Sequence, residues 1–395
     1  MKRLTVLSGI FLFIFVISGM SFLQAEEMAD WQRAALEFYE GNFAETADIL
    51  EDYEDEDIVS EADYKALEYL VKAKINLSHL GRAEDLLMRL KEFNYVQPEL
   101  HWLLGREYLS YADGDEEDSF SEAIEHLEIA RDYGFFGIPQ KRKLGHAYIG
   151  VEKFSEALEL LEDVRAADPG TEDFSALARA YSETDQKGEA VNAYERLIVL
   201  SPQDYEAYMA LGSLYRDLDN PREAVEVYEQ GLDYNPDNIE LQKALVEVYY
   251  ELEEYEEAES LLQSIIAEEP DMYEIHYDLG RIYQKQGEWE DAEESYEIVL
   301  EYNSEHLRAH LALGELYLER NNHYRALSKF SDAVDRDPDF APGYYHLART
   351  YYELEMYDSA LSEVSTALRK NPGLTEAREL REDIFARMLE EENQD

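Results

Sequence analysis

Prolines recur at a fixed interval through the second half of this chain. Those that share the interval are separated by 34 residues or by a multiple of 34: Pro202, Pro236, Pro270, Pro338 and Pro372. Ser304 takes the place halfway between Pro270 and Pro338, so the period continues without its proline. A period in this range is typical of proteins built from stacked repeats. It therefore constrains the fold before any single helix is assigned.

The unit from Tyr205 to Asn238 shows what one repeat contains. One helical stripe, at spacings of three, one and three residues, consists of Tyr208, Leu211, Gly212 and Tyr215. A second stripe, after a polar break ending at Pro221, consists of Ala224, Tyr228 and Gly231. Pro236 then ends the second helix, because proline cannot continue one. The unit is predicted to be a pair of facing helices, with small residues where the helices approach closely.

The other units keep the same residue types at the same places. The small position of the first helix holds Ala178, Gly212, Gly280, Gly314 and Ala348, and the exception is Val246. The aromatic position three residues on holds Tyr181, Tyr215, Tyr249, Tyr283, Tyr317 and Tyr351. The alanine of the second helix recurs as Ala190, Ala224, Ala258, Ala292, Ala326 and Ala360. These units resemble the tetratricopeptide repeat family, whose pattern is W-x2-L-G-x2-Y, then A-x3-F, then A and P.

The resemblance implies an all-α fold, a right-handed superhelical solenoid of stacked antiparallel helix pairs. Six regular repeats occupy residues 171–374, and a C-terminal capping helix with an acidic tail occupies 375–395. The departures from the family pattern are Gln242 at the tryptophan position and three large residues at the second alanine position: Leu197, Ile265 and Val299. Residues 61–170 resemble more divergent repeats, and 26–60 a degenerate helical pair with an acidic linker. About ten units are expected.

Residues 1–25 have the composition of a targeting segment. Lys2 and Arg3 precede an apolar run from Leu4 to Leu23, and Ala25 is the expected cleavage residue. A cleaved signal peptide is favoured over an uncleaved signal anchor, for which the run is also long enough. In both cases the repeats lie outside the cytoplasm, because the positive end stays inside.

The charge of the chain excludes several classes of partner. It carries 90 acidic and 35 basic residues and a formal net charge of −55. Such a surface repels nucleic acid and anionic lipid, so neither is expected as a partner. The acidity keeps a long solenoid soluble, or it reflects a high-salt environment in which self-repulsion is screened. The chain has no cysteine, which excludes disulfides and thiolate metal sites.

No pattern of catalytic residues is found, and no cofactor or metal is predicted. The chain lacks G-x-S-x-G, H-E-x-x-H and the glycine-rich phosphate loops. His306 and His310 have the i, i+4 spacing of helical metal ligands, but His276 and His310 occupy a packing position that tyrosine fills in other repeats. Packing is therefore the favoured role. The acidic runs at 51–57 and 113–118 lack the order of a calcium loop.

A second stripe of each first helix, turned about 100° from the packing stripe, lines the concave groove in the family. Its basic and tyrosine members, called here the first-helix stripe, are Arg179, Arg216, Lys243, Tyr250, Tyr277, Arg281, Tyr345, Arg349 and Tyr352. Tyrosine provides contact area at low entropic cost, and the cations suit acidic groups of a partner. Two interpretations stay open: a binding surface, or arginines paired with glutamates of the next repeat. Reversing the charge of Arg281 and Arg349 is expected to leave folding intact, as for exposed charges.

The sequence thus predicts a non-enzymatic protein-interaction scaffold, periplasmic or secreted, that binds a partner segment in the groove. One alternative is a cell-envelope assembly factor anchored by an uncleaved N-terminal segment. The other is an enzyme with an unrecognised site in residues 26–170.

Overall fold

The computed structural model describes residues 29–54, 58, 60–111 and 117–392, and the predicted targeting segment lies outside them. The regular elements of these residues are one 3₁₀ helix, Glu51–Glu54, and 21 α-helices. The α-helices are α1 (Asp30–Glu40), α2 (Phe43–Ile49), α3 (Glu61–Asn76), α4 (Leu80–Glu92), α5 (Pro98–Tyr111), α6 (Glu117–Asp132), α7 (Ile138–Gly150), α8 (Phe154–Ala167), α9 (Thr171–Glu183), α10 (Lys187–Leu200), α11 (Tyr205–Asp217), α12 (Pro221–Tyr234), α13 (Ile239–Glu251), α14 (Tyr255–Glu268), α15 (Glu274–Gln286), α16 (Trp289–Tyr302), α17 (Leu307–Glu319), α18 (His323–Arg336), α19 (Ala341–Glu353), α20 (Tyr357–Lys370) and α21 (Thr375–Glu392).

The chain forms two compact units, Met1–Ser201 and Pro202–Asp395. The described part of the first unit contains α1 to α10, and that of the second contains α11 to α21. Within each unit, an odd-numbered helix packs against the even-numbered helix that follows it, and each such hairpin packs against the next. The second unit ends with α21, which packs against α19 and α20. The all-α fold of stacked antiparallel helix pairs with a terminal helix is as predicted.

The repeated small residues occupy the interior of each hairpin. The six alanines of the second helices are completely buried: Ala190, Ala224, Ala258, Ala292, Ala326 and Ala360. Gly212, in turn, lies under the buried ring of Tyr228, where a Cβ atom would stand only 2.3 Å from the ring. Because the ring of the second helix rests on the backbone of the first, this repeat requires glycine at its small position.

Each regular hairpin turns through one residue in the left-handed backbone region. Those residues are 34 apart, and only one of them is glycine: Asp185, Asp219, Glu253, Gly287, Asn321 and Glu355. Glycine adopts this conformation without the steric cost that a Cβ atom imposes. Gly287 and Asn321, both common in such turns, are the sequence signal for the position, and the sequence analysis did not use it.

Replacing Glu253 with glycine should therefore stabilise the second unit. Glu253 has φ +60°, and relief of left-handed strain should exceed the entropy that glycine gains in the unfolded chain, giving about 0.5–1 kcal/mol. Denaturant unfolding of parent and variant measures the difference. Glu253→Ala keeps the Cβ atom and should give no gain; an equal gain from alanine would show that loss of the carboxylate, and not relief of strain, is responsible.

The start of the predicted acidic linker is folded. Arg89 of α4 donates hydrogen bonds to the backbone carbonyls of Tyr53 (3.1 Å) and Glu54 (2.5 Å) in the 3₁₀ helix. Lys74 of α3 pairs with the Glu54 carboxylate at 2.5 Å. These contacts tie the 3₁₀ helix to the next hairpin. The remainder of that acidic run, and residues 113–116 of the second one, lie outside the described residues.

Among the helices that the structure describes, none combines the length and apolar content needed to cross a membrane.

Candidate functional site

The first-helix stripe is carried by five different helices. Arg179 lies on α9 of the first unit. The second unit holds the other members on α11 (Arg216), on α13 (Lys243 and Tyr250), on α15 (Tyr277 and Arg281), and on α19 (Tyr345, Arg349 and Tyr352). First helices of consecutive hairpins touch in several places within the second unit, α11 with α13, α15 with α17, and α17 with α19. Side chains at these positions therefore face both solvent and the neighbouring repeat.

The tyrosines of the stripe differ in burial from those of the hairpin interior. Tyr208, Tyr228, Tyr296 and Tyr317 belong to the packing positions and are at most 1% exposed. The four stripe tyrosines are only partly buried: Tyr250, Tyr277, Tyr345 and Tyr352. Each contacts a neighbouring aromatic ring. The ring of Tyr277, for example, lies against that of Tyr296 with centroids 5.8 Å apart. The stripe therefore presents supported aromatic faces to solvent.

Arg281 is the centre of a cluster that joins α13 to α15. Its guanidinium lies 2.7 Å from the Glu247 carboxylate and 3.2 Å from that of Asp278, and its Cζ is 4.3 Å from the centre of the Tyr250 ring. The side chain is 28% exposed. The prediction that Arg281 is an exposed charge is therefore wrong. The residues next to Arg281 in the sequence did not indicate that it is partly buried and paired, because its partner Glu247 lies one whole repeat earlier.

The cluster shifts the pKa values of its members. Burial lowers the pKa of Arg281, but the hydrogen bond and charge of Glu247, together with the charges of Asp278 and Tyr250, raise it, so the pKa is raised overall. Burial raises the pKa of Asp278, and Arg281 opposes that shift only in part. Asp278 thus depends on Arg281 to remain ionised in a half-buried place.

Other arginines of the stripe are also paired. Arg216 forms an ion pair with Glu251 of the next repeat, and Arg349 lies 3.3 Å from Glu353 on its own helix. In the first unit, Arg179 is 3.9 Å from Glu152 and 5.5 Å from the centre of the Phe154 ring. Arg216 therefore pairs with the next repeat, as the second interpretation has it, whereas Arg281 pairs with the preceding repeat. Lys243 is exposed and has no ion pair among the described residues.

The position of the acidic partners, at the end of the first helices, was not identified from the sequence. One position, four residues after Arg349 in its repeat, is acidic in five of the six regular repeats: Glu183, Asp217, Glu251, Glu319 and Glu353. Glu251 and Glu353 form ion pairs with Arg216 and Arg349. Glu319 accepts a hydrogen bond at 3.0 Å from Gln284 of the preceding repeat. This regularity was the available signal. It means that the positive charge of the stripe is largely compensated.

The histidines considered as metal ligands have other roles. His306 caps the N-terminus of α17, where its Nδ1 accepts a hydrogen bond from the Ala309 amide at 3.1 Å. His310 is buried, and its Nε2 lies 2.9 Å from the backbone carbonyl of Ser304. His276 is partly buried. In the described ranges, no three histidine, aspartate or glutamate side chains are grouped so that they could hold a metal ion.

A cavity of about 370 Å³ lies on the first helices of the first unit. The side chains around it come from α1, α3 and α5: Phe38, Tyr39, Tyr69, Lys72, Ile75, Asn76, Leu103, Arg106 and Glu107. Phe38, Tyr39 and Tyr69 meet at ring-centre distances of 5.8–6.3 Å. The sequence analysis did not identify this cavity, because the first hairpins depart most from the regular pattern.

Comparison with known proteins shows which family the chain belongs to. Two family models described as "Tetratricopeptide repeat" match the chain, one at residues 175–219 and 277–341, the other at 215–271, 253–299 and 321–384. Together they cover 175–384 without a gap, more than half of the 395 residues. The chain belongs to the tetratricopeptide repeat family.

Several solved structures are similar. The C-terminal part of a TPR repeat-containing protein from Cytophaga hutchinsonii has 16% identity and a TM-score of 0.52, covering 64% of this chain and 99% of that one. A MamA protein has 23% identity, a TM-score of 0.39 and coverage of 44% and 94%. YrrB, described as a TPR protein with an unusual peptide-binding site, has 21% identity and a TM-score of 0.36, covering 49% of this chain and 100% of that one. At these identities the likeness concerns the fold alone. The search of curated proteins found no match.

Proposed function

We propose that this protein is a non-enzymatic scaffold outside the cytoplasm that binds a segment of another protein along the first-helix stripe of its second unit. The observation that carries the proposal is the partial exposure of Tyr250, Tyr277, Tyr345 and Tyr352. These rings pack at the edges of the hairpin cores, whose interiors are filled by other tyrosines, and the remainder of each ring is open to a ligand. Partly exposed and well supported rings are the residues that dominate protein interfaces.

The charges indicate what such a segment would carry. Lys243 is exposed and, unlike the arginines of the stripe, forms no ion pair among the described residues, so it suits a carboxylate of the ligand. The remaining cations are already paired, so a ligand gains less from a second acidic group than the sequence suggested. Around the stripe, a chain of net charge −55 favours basic flanking residues.

Removing the exposed contacts of the stripe should weaken partner capture at least tenfold, as expected when an aromatic anchor is lost. The variant is Lys243→Ser with Tyr345→Ser. The matched control is Lys329→Ser with Tyr324→Ser on the second helix α18, where Tyr324 is 79% exposed. Each protein is used as bait in envelope extract, and bound proteins are quantified by mass spectrometry at two salt concentrations.

Binding on the stripe requires that some protein bound by the parent be lost with the first variant and retained with the control. Part of the attraction should also be screened as salt rises. Equal capture by both variants, at equal stability, would exclude the stripe as the binding surface.

Export is part of the proposal, and it rests on the sequence of residues 1–25. We expect the mature protein to begin near Glu26. N-terminal sequencing of protein from cell fractions tests this. Recovery of the intact apolar segment in the membrane fraction would favour the anchored envelope-assembly factor instead, and recovery in the cytoplasm would contradict both.

A further inference from the structure

Two histidines face each other inside the third hairpin. His101 of α5 and His126 of α6 are 0% and 1% exposed, and their Nδ1 atoms lie 3.0 Å apart. Such a distance is a hydrogen bond only if one Nδ1 carries a proton and the other does not. The contact therefore depends on the protonation state of both rings.

The surroundings assign the protons of the neutral pair. The Nε2 of His126 lies 3.9 Å from the Glu84 carboxylate, whereas the Nε2 of His101 is buried and has no hydrogen-bond partner among the residues that the structure describes. A bare nitrogen is cheaper to bury than an unpaired N–H. His101 thus donates from Nδ1 to the Nδ1 of His126, and the N–H of His126 points toward Glu84. A further proton on His101 would have no acceptor.

The groups that shift the pKa values of His101 and His126, or contact their rings, come from helices α4, α5 and α6. Burial lowers the pKa of His101 to about 3, and the charges of His126 and Lys91 add to that shift. Burial also lowers the pKa of His126, although Glu84 of α4 and Glu125 of α6 oppose the shift. Tyr108 of α5 lies parallel to the His126 ring and donates to Glu84 at 2.7 Å. Helices α3 and α7 also pack against this hairpin. Among the described residues, no charged group of either helix contributes to the pKa shifts of His101 and His126.

We propose that His101 and His126 form a pH-sensitive latch that holds α5 against α6 while both rings are neutral and releases them in acid. Protonation of both rings would break the Nδ1 contact and place two charges in an apolar interior, so the hairpin must open to take up the protons. Since α5 supplies Leu103, Arg106 and Glu107 to the cavity of the first unit, opening would dismantle that cavity.

The direction of the pH effect follows from proton uptake. Both rings have a lower pKa in the closed hairpin than the ordinary value near 6.5, so the open form binds more protons. Closure is complete above that ordinary value and is lost progressively below it. Between pH 6 and pH 5, His101 should raise the opening constant about eightfold, because its pKa in the closed hairpin lies far below this range. His126 should add a further rise of up to about eightfold, so the pair should give up to roughly 60-fold.

Local opening can be measured in the full chain. Trp102 follows His101 directly, and the variant Trp31→Phe with Trp289→Phe leaves it as the sole tryptophan. Its fluorescence, together with hydrogen exchange of the α5 and α6 amides corrected for intrinsic rates, reports opening against pH. The parent should show a change of more than about eightfold and up to roughly 60-fold, His126→Gln about eightfold, and His101→Gln with His126→Gln almost none. The control His79→Gln alters an exposed histidine and should behave as the parent.

Two results would overturn the latch. One is a pH dependence that is the same in the parent and in the double variant. The other comes from nuclear magnetic resonance of the parent, which decides the matter if the double variant does not fold. Both rings should remain neutral until the α5 and α6 amides lose protection, so a ring that takes up a proton while those amides stay protected contradicts the proposal.

Discussion

Gly314→Ala should destabilise the second unit, although alanine is the better helix former. A Cβ atom at Gly314 would stand 2.2 Å from the ring of Phe330, which is completely buried and cannot move aside. Overpacking of this kind typically costs about 1–3 kcal/mol. Without the ring, the same change would gain up to about 1 kcal/mol from helix propensity. The sign of the effect, measured by denaturant unfolding, therefore tests the packing directly.

Two comparisons isolate the clash. Gly188→Ala introduces a Cβ atom with no atom of the described residues within 4 Å and should be neutral or mildly stabilising. In a Phe330→Leu background, Gly314→Ala should cost less than in the parent, because the ring is gone. Stabilisation of the parent by Gly314→Ala would mean that the first and second helices of this hairpin do not meet as described.

This packing explains why Val246 can replace the glycine or alanine that the other regular repeats have at the small position. The residue sixteen positions after the small residue varies with it, from Gly314 with Phe330 to Val246 with Leu262. Phe330 lies over the glycine, whereas Val246 and Leu262 share one buried cluster. In the three repeats with glycine at the small position, an aromatic ring of the second helix lies over that glycine: Tyr228 over Gly212, Tyr296 over Gly280 and Phe330 over Gly314. Because both positions follow the 34-residue period, the hairpins and their cores could be predicted from the sequence.

The candidate site could be predicted only in part. The period places Arg281 and Tyr250 on outward stripes of their helices, which is where the structure has them. It does not say that Arg281 lies across Tyr250 and binds Glu247, since these contacts join different repeats and depend on how closely the helices stack. The contact of His101 with His126 was missed for a related reason, because it lies in a divergent hairpin whose residues have no counterparts in the regular units.

Arg281→Glu should be strongly destabilising, in contrast to the tolerance expected of an exposed charge. The change would remove the partner of Asp278 and place a third carboxylate beside Glu247. Breaking a fully buried pair costs about 3–5 kcal/mol; because Arg281 is 28% exposed, we expect about 2–3 kcal/mol. Denaturant unfolding at neutral pH measures this loss.

The pH dependence of that loss has a definite sign. Burial already raises the pKa of Asp278, and Arg281 is what opposes the shift. Without the arginine the pKa of Asp278 should rise further above its value in the unfolded chain. The destabilisation should then be largest at neutral pH and should shrink as the pH falls and the carboxylates take up protons.

Matched variants separate a structural role of Arg281 from a role in binding. Lys243→Glu reverses an exposed charge with no ion pair among the described residues and should change stability by no more than about 0.5 kcal/mol. Exchanging the charges, with Glu247→Arg in the Arg281→Glu background, should recover part of the loss, because the two side chains contact each other. If Arg281→Glu proved as mild as Lys243→Glu, the guanidinium would not be engaged by Glu247 and Asp278 in solution. Arg281 would then join Lys243 as a free cation, and the stripe would be considerably more attractive to an acidic ligand.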